Sequence, residues 1–210
     1  MRFFAKGGNI MKKPGAYDKK GNLICELTKE DVEKDQGYYG SAFLWRSVSM
    51  DKQSEITEVV LPENVTKIGK CAFKYCYALK NISLPDGLTE IGESAFECCR
   101  SLKEILLPQN LSKIGKGAFW GCTSLKEVTI PSKVTKIEDH TFYYCISLSS
   151  VTLPESIKEI NDRAFSGCLF LDTIMFDGEE YINRSKLEKK WEENGVDLGY
   201  DIFIHTGLQP

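Results

Sequence analysis

The sequence predicts a solenoid, a single elongated stack of short coils, because three residue types recur in step at one period of 23 residues. Pro62, Pro85, Pro108, Pro131 and Pro154 share that spacing, as do Phe73, Phe96, Phe119, Phe142 and Phe165, and again Cys76, Cys99, Cys122, Cys145 and Cys168. The repeat fills most of the 210 residues and leaves no room for a second large core. One coil has too few apolar side chains to offset the ordering of its backbone, so neighbouring coils must seal one another's interior.

Such a stack needs a cover at each end, and the composition changes at both. Residues 1–53 read as the N-terminal cover. They predict a hairpin about Tyr17–Ile24 and a helix start at Thr28-Lys-Glu-Asp31, an acidic form of the capping box. Aromatic residues follow at Tyr38, Tyr39, Phe43 and Trp45, and Ser41-Ala42-Phe43 reads as a worn copy of the repeat.

Residues 54–176 hold five full repeats and a sixth strand. In the second repeat, Ile82 and Leu84 alternate with Asn81 and Ser83, the pattern of a half-buried strand. Pro85 removes a donor and ends the ladder. Leu88 and Ile91 then return to the core, with a second short strand near Thr89–Ile91. Ala95, Phe96 and Cys99 fit a helical or 3₁₀ turn. Gly92 allows either a positive φ or a close backbone approach. Glu138 and Asn161 replace that glycine in later repeats and Thr141 replaces the alanine, which leaves both explanations open.

Residues 177–210 form the C-terminal cover. Asp177-Gly178 stands where the next proline would fall, Ser185 is placed to cap a helix ending near Asn194-Gly195, and Leu187 and Trp191 share one face of it. Asp201–Ile204 reads as a short edge strand.

Charged residues make up 27% of the chain and the net charge is −3, which gives no general attraction to nucleic acid or anionic membrane. No apolar run reaches membrane-spanning length, and neither Met1 nor Met11 leads into a secretory apolar run, so the chain as written reads as cytoplasmic. Five of the eight cysteines belong to the repeat. Coils about 4.8 Å apart hold parallel Cβ vectors beyond the roughly 3.8 Å that a disulfide prefers, so this column is expected to be buried free thiols.

The unit Leu102-Lys-Glu-Ile-Leu-Leu-Pro-Gln-Asn-Leu-Ser-Lys-Ile-Gly-Lys-Gly-Ala-Phe-Trp-Gly-Cys-Thr-Ser124 closely resembles the BspA-like leucine-rich repeat, also called the Treponema pallidum type. The resemblance covers residues 56–176. It implies a right-handed leucine-rich-repeat solenoid with a parallel β-sheet on one face and short strands or 3₁₀ turns opposite. It also implies a bacterial or protist protein of host-associated habitats, displayed at the cell surface and used in adhesion.

Outward strand positions form two columns that are the expected binding face: Glu58, Asn81, Glu104, Glu127, Ser150 and Thr173, and beside them Val60, Ser83, Leu106, Thr129, Thr152 and Met175. Small polar and β-branched residues also suit any exposed strand; Leu106 and Met175 are the exceptions, each predicted to expose an apolar group. Lys80, Lys103 and Lys126 adjoin Glu104 and Glu127, where mutual charge compensation is the simplest reading. Tyr75, Trp120, Tyr143 and Tyr144 follow the repeat phenylalanine as a second, aromatic candidate surface. His140 and His205 sit in no catalytic or metal motif, and Cys71, Cys76, Cys98 and Cys99 have offsets that differ between coils, so no enzyme, metal or cofactor is expected. The expected function is noncatalytic protein binding through the sheet face, with adhesion to host or cell-surface proteins as the form the resemblance implies. An intracellular scaffold or regulator is the alternative.

Overall fold

The structure is a computed structural model that describes residues 3–4, 10–35, 52 and 54–209. The aromatic stretch from Tyr38 to Trp45, with its suspected repeat copy, lies outside the described residues. Strands β1 (Phe3–Phe4) and β2 (Ile10–Met11) pair antiparallel. The hairpin expected about Tyr17–Ile24 is β3 (Gly15–Tyr17) with β4 (Leu23–Glu26). Thr28 and Asp31 cap α1 (Lys29–Glu33) reciprocally, each side chain bonded to the other's backbone N–H.

The coils then stack, starting at Ile56, Leu79, Leu102, Leu125 and Leu148. All but the third carry a short strand on either side of the proline turn, and the third carries only the one after it. In chain order these are β5 (Glu58–Val60), β6 (Lys67–Ile68), β7 (Asn81–Ser83), β8 (Glu90–Ile91), β9 (Lys113–Ile114), β10 (Glu127–Thr129), β11 (Lys136–Ile137), β12 (Ser150–Leu153), β13 (Glu159–Ile160) and β14 (Thr173–Phe176). After β14, Asp177 and Gly178 both take positive φ and turn the chain into β15 (Glu179–Tyr181), which pairs antiparallel with β14. Helix α2 (Arg184–Glu193) and β16 (Asp197–Leu198) follow.

The first sheet is not continuous as the repeat suggested. It is two sheets, ordered β4-β3-β5-β7 and β10-β12-β14-β15, each closed at its outer end by antiparallel strands. Residues Glu104–Leu106 of the third coil have the sequence of a strand but pair with neither neighbour. The second sheet divides only between the third and fourth coils, into β6-β8-β9 and β11-β13-β16.

The repeat glycines are explained by close packing. A Cβ on Gly92 would lie 2.7 Å from the Lys70 nitrogen, and one on Gly115 would lie 2.6 Å from that of Glu93. The N–H groups of Gly92 and Gly115 donate to Ile68 and Ile91 of the coil before, both at 2.8 Å. Glu138 makes no such bond, and this is the junction where β9 and β11 separate. Asn161 also carries a Cβ and keeps the bond, at 2.9 Å to Ile137, so added bulk alone does not decide it.

Positive φ falls elsewhere, in two columns: Cys71, Ser94, Gly117, His140 and Arg163, two residues before each phenylalanine, and Tyr75, Cys98, Gly121, Tyr144 and Gly167, two residues after. These left-handed residues turn their N–H groups along the stack. Ser94, Phe96 and Cys98 thus donate to Lys116, Ala118 and Trp120 at 2.9, 2.8 and 2.7 Å, and later junctions repeat the set. The turn side therefore stays bonded where the sheets lapse.

Inside, the phenylalanine rings stack at 5.4–5.5 Å from Phe73 to Phe165. The series continues in Phe203, 6.0 Å from Phe165, and Trp191 stacks on Phe203 at 5.7 Å. Residues 201–204 are consequently a turn of one more coil, with α2 inserted before it, and not an edge strand. Asn183, not Ser185, caps α2, accepting from the Lys186 N–H, while Leu187 and Trp191 are buried together as their spacing predicts.

Candidate binding face

The outward strand residues align as the period requires. Glu58 lies beside Asn81 and Val60 beside Ser83; Glu127, Ser150 and Thr173 form one row, and Thr129, Thr152 and Met175 the next. Met175 is half-buried beside Glu180 of β15, so the expectation of an exposed methionine is corrected by the returning hairpin. Leu106 is 87% exposed although Ile105 and Leu107 on either side of it are buried.

Where the third coil leaves the ladder, its neighbour is uncovered. Val59, Val128, Val151 and Ile174 are buried, whereas their counterpart Ile82, like Leu84, is only half-buried. These side chains line a cleft of about 680 Å³ that also takes in Leu106, Lys80, Asn81, Glu104 and Asp86. An apolar floor under a polar rim is the arrangement of a protein-binding patch.

Charges on this face behave differently from those on the rest of the coil. Around the second sheet and the turns, lysines pair with carboxylates one coil away: Lys70 with Glu93 at 2.9 Å, Lys116 with Asp139 at 2.8 Å and Lys136 with Glu159 at 2.8 Å. Lys74 and Glu97 form a buried pair at 2.8 Å, in which Glu97 outweighs the effect of burial and holds the Lys74 ammonium above its ordinary pKa. No periodic residue type marks that pair, since Lys74 and Glu97 occupy the position of Trp120 and Tyr143 in later coils. Among the described residues, Lys80, Lys103, Lys126, Glu104 and Glu127 make no ion pair at all, so proximity in sequence does not become compensation.

The aromatic candidates separate into two groups. Trp120, Tyr143 and Tyr144 come together, with centroids 5.3 Å apart for the first two and 4.5 Å for the last two. Their contact includes His140, 5.6 Å from Trp120 and 5.0 Å from Tyr143, which sequence reasoning had set aside. Burial, followed by the Lys116 charge, holds His140 below the usual imidazole pKa, and its Nδ1 is buried with no hydrogen-bond partner. Tyr75 lies elsewhere, stacked on Tyr77 at 5.9 Å. These rings mostly pack on one another.

Among the described residues, the two histidines are not brought together. His205 occupies a different column of a different coil from His140. The repeat cysteines are buried free thiols, as their spacing predicts. Those of Cys99, Cys122, Cys145 and Cys168 donate to phenylalanine carbonyls of the preceding coil at 3.1–3.2 Å. Burial pushes the Cys76 thiol up to about 12, far from a reactive thiolate at neutral pH. Among the described residues no group of three or more His, Cys, Asp or Glu is placed to hold a metal ion, and no helix is long and apolar enough to cross a membrane.

Comparison with curated proteins found no match. Solved structures do match. A leucine-rich repeat protein of T. pallidum is 31% identical, over 85% of this chain and 72% of that one, with a TM-score of 0.66. A leucine rich cell surface protein of Faecalibacterium prausnitzii is 33% identical over 62% of this chain, and a leucine-rich repeat protein of Bacteroides ovatus 31% identical over 74%, both with TM-scores of 0.52. This chain spans 44% and 42% of those two proteins. The BspA type leucine rich repeat region matches residues 49–172 in six copies. With that match over more than half its length, and with the coil geometry described above, the chain belongs to the BspA-type leucine-rich repeat family, whose repeats generally serve as protein-binding modules.

Proposed function

We propose that this chain is a noncatalytic protein-binding module that uses the first-sheet face, centred on the second and third coils. The carrying observation is Leu106, fully presented beside the cleft over Ile82 and Leu84. A leucine left in water while its neighbours are buried is costly to no fold but useful to an interface, where it supplies a desolvated anchor. The unpaired charges around it offer specificity and steering.

Adhesion at a cell surface is the finer form of this proposal, supported by the cell-surface description of the F. prausnitzii relative. Joint substitution of Glu104, Leu106 and Glu127 by alanine should abolish capture of protein partners from host-matrix or bacterial extracts while the melting curve is retained. Unchanged capture by the folded variant would exclude this face. Fractionation of the native protein tests the finer form, which predicts recovery outside the cell.

A further inference from the structure

The sheet face is not uniform along its strands, and the second coil differs from those after it. Glu104 and Glu127 occupy the inner outward column of the third and fourth coils, but the second coil has Asn81 there and Ser83 beyond it. In the first coil the corresponding Glu58 is held by Lys12. The strand residues of β7 therefore add no carboxylate to this face, and Glu104 of the third coil flanks them.

The two ends of this track along β7 carry opposite charge. At the start of β7, Lys80 joins Lys19 and Lys20 of the β3–β4 turn around a cleft of about 450 Å³. Asp18 in that cleft is committed to the hairpin, accepting from the Lys20 and Asn22 N–H groups at 2.8 Å each, which leaves Glu55 as its uncommitted carboxylate. Beyond Leu84 the track ends at Asp86, which shares a neighbouring cleft with Glu63. None of Lys19, Lys20, Lys80, Glu63 and Asp86 has an ion-pair partner among the described residues. Between the ends lie Ile82, Leu84 and Leu106, with Glu104 on the third-coil side; at the lysine end three lysines outnumber Glu55 and Glu104.

We propose that this track binds an extended protein segment that is acidic at one end, carries a large apolar side chain in its middle and is basic at the other end. The inference rests on the sheet-face reading above and names its partner's chemistry. An extended segment of about six residues, roughly 20 Å long, would run alongside residues 80–85. The apolar middle favours polypeptide over a sulfated polysaccharide, which would satisfy the lysines but leave Leu106 in water.

The test is selection of short peptides from a random displayed library on the immobilised full chain. The selected peptides are then titrated against wild type, Lys20→Glu/Lys80→Glu, Leu106→Ser and, as a control on the opposite sheet, Lys113→Glu. The selected sequences should place Asp or Glu and Lys or Arg at opposite ends of an apolar residue. Affinity should fall by about tenfold or more on lysine reversal, fall on Leu106→Ser, weaken with salt and ignore Lys113→Glu. Peptides that need Leu106 but ignore the lysines would overturn the charge pattern and leave the sheet-face reading standing. Peptides that ignore both would sink both. No selected peptide, or retention on heparin that depends on Lys80 but not on Leu106, would overturn the proposed ligand.

Discussion

Two kinds of backbone position in each coil look alike in a sequence and differ in physics. Gly92 has no room for a Cβ because preceding backbone lies within 3 Å; Ser94, two residues later, sits at φ 54° with a side chain. Gly92→Ala should therefore destabilise the chain by about 3 kcal/mol, at the upper end of overpacking costs. Ser94→Gly should stabilise it by about 0.5 kcal/mol, the left-handed strain removed less the added freedom of the unfolded glycine. Urea midpoints read both, and a stabilising Gly92→Ala would refute the packing account. His140 sets a pH response. Its folded pKa is held below the ordinary 6.5 by burial, with Lys116 and Arg163 adding to the effect and Asp139 and Asp162 opposing it. The folded state thus binds fewer protons than the unfolded state between those two pKa values, so stability should be full above pH 6.5 and decline as pH falls below it. Melting of wild type and His140→Asn from pH 7.5 to 5 should show this decline shrinking in the variant; parallel curves would assign it to other groups.

At the scale of elements, the strand is the unit that fails to repeat. β10, β12 and β14 form a regular parallel ladder, while Glu104–Leu106, with an equally alternating pattern, forms none. Amide exchange should separate them, because an N–H without a ladder bond needs no opening event before exchange. The amides of Glu104–Leu107 should exchange orders of magnitude faster than those of Val128 and Val151, and equal protection would mean that the third strand is paired in solution. The same lapse exposes Ile82 and Leu84, so what weakens the sheet also shapes the cleft.

For the whole molecule, stability is a sum over stacked neighbours, and position in the stack decides the reach of a lesion. Phe119 has a ring on each side, at 5.4 Å, and Phe119→Ala should cost about 3–5 kcal/mol and lower the melting of every coil together. Phe203→Ala, under Trp191, should loosen α2 and the last turn while the first coils keep their exchange protection. A uniform response to both would argue against stacking by adjacency. The solenoid, its core columns, the buried thiols and the α2 face were legible in the chain because burial on a fixed period writes itself as periodic residue types. The left-handed columns were not, since Cys71, Tyr75, His140 and Arg163 hold a conformation that no shared side chain marks. Nor were the broken ladders, the buried Lys74–Glu97 pair or the last coil across the α2 insertion. Those depend on how one coil meets the next, and contact between residues distant in sequence is settled by three-dimensional packing alone.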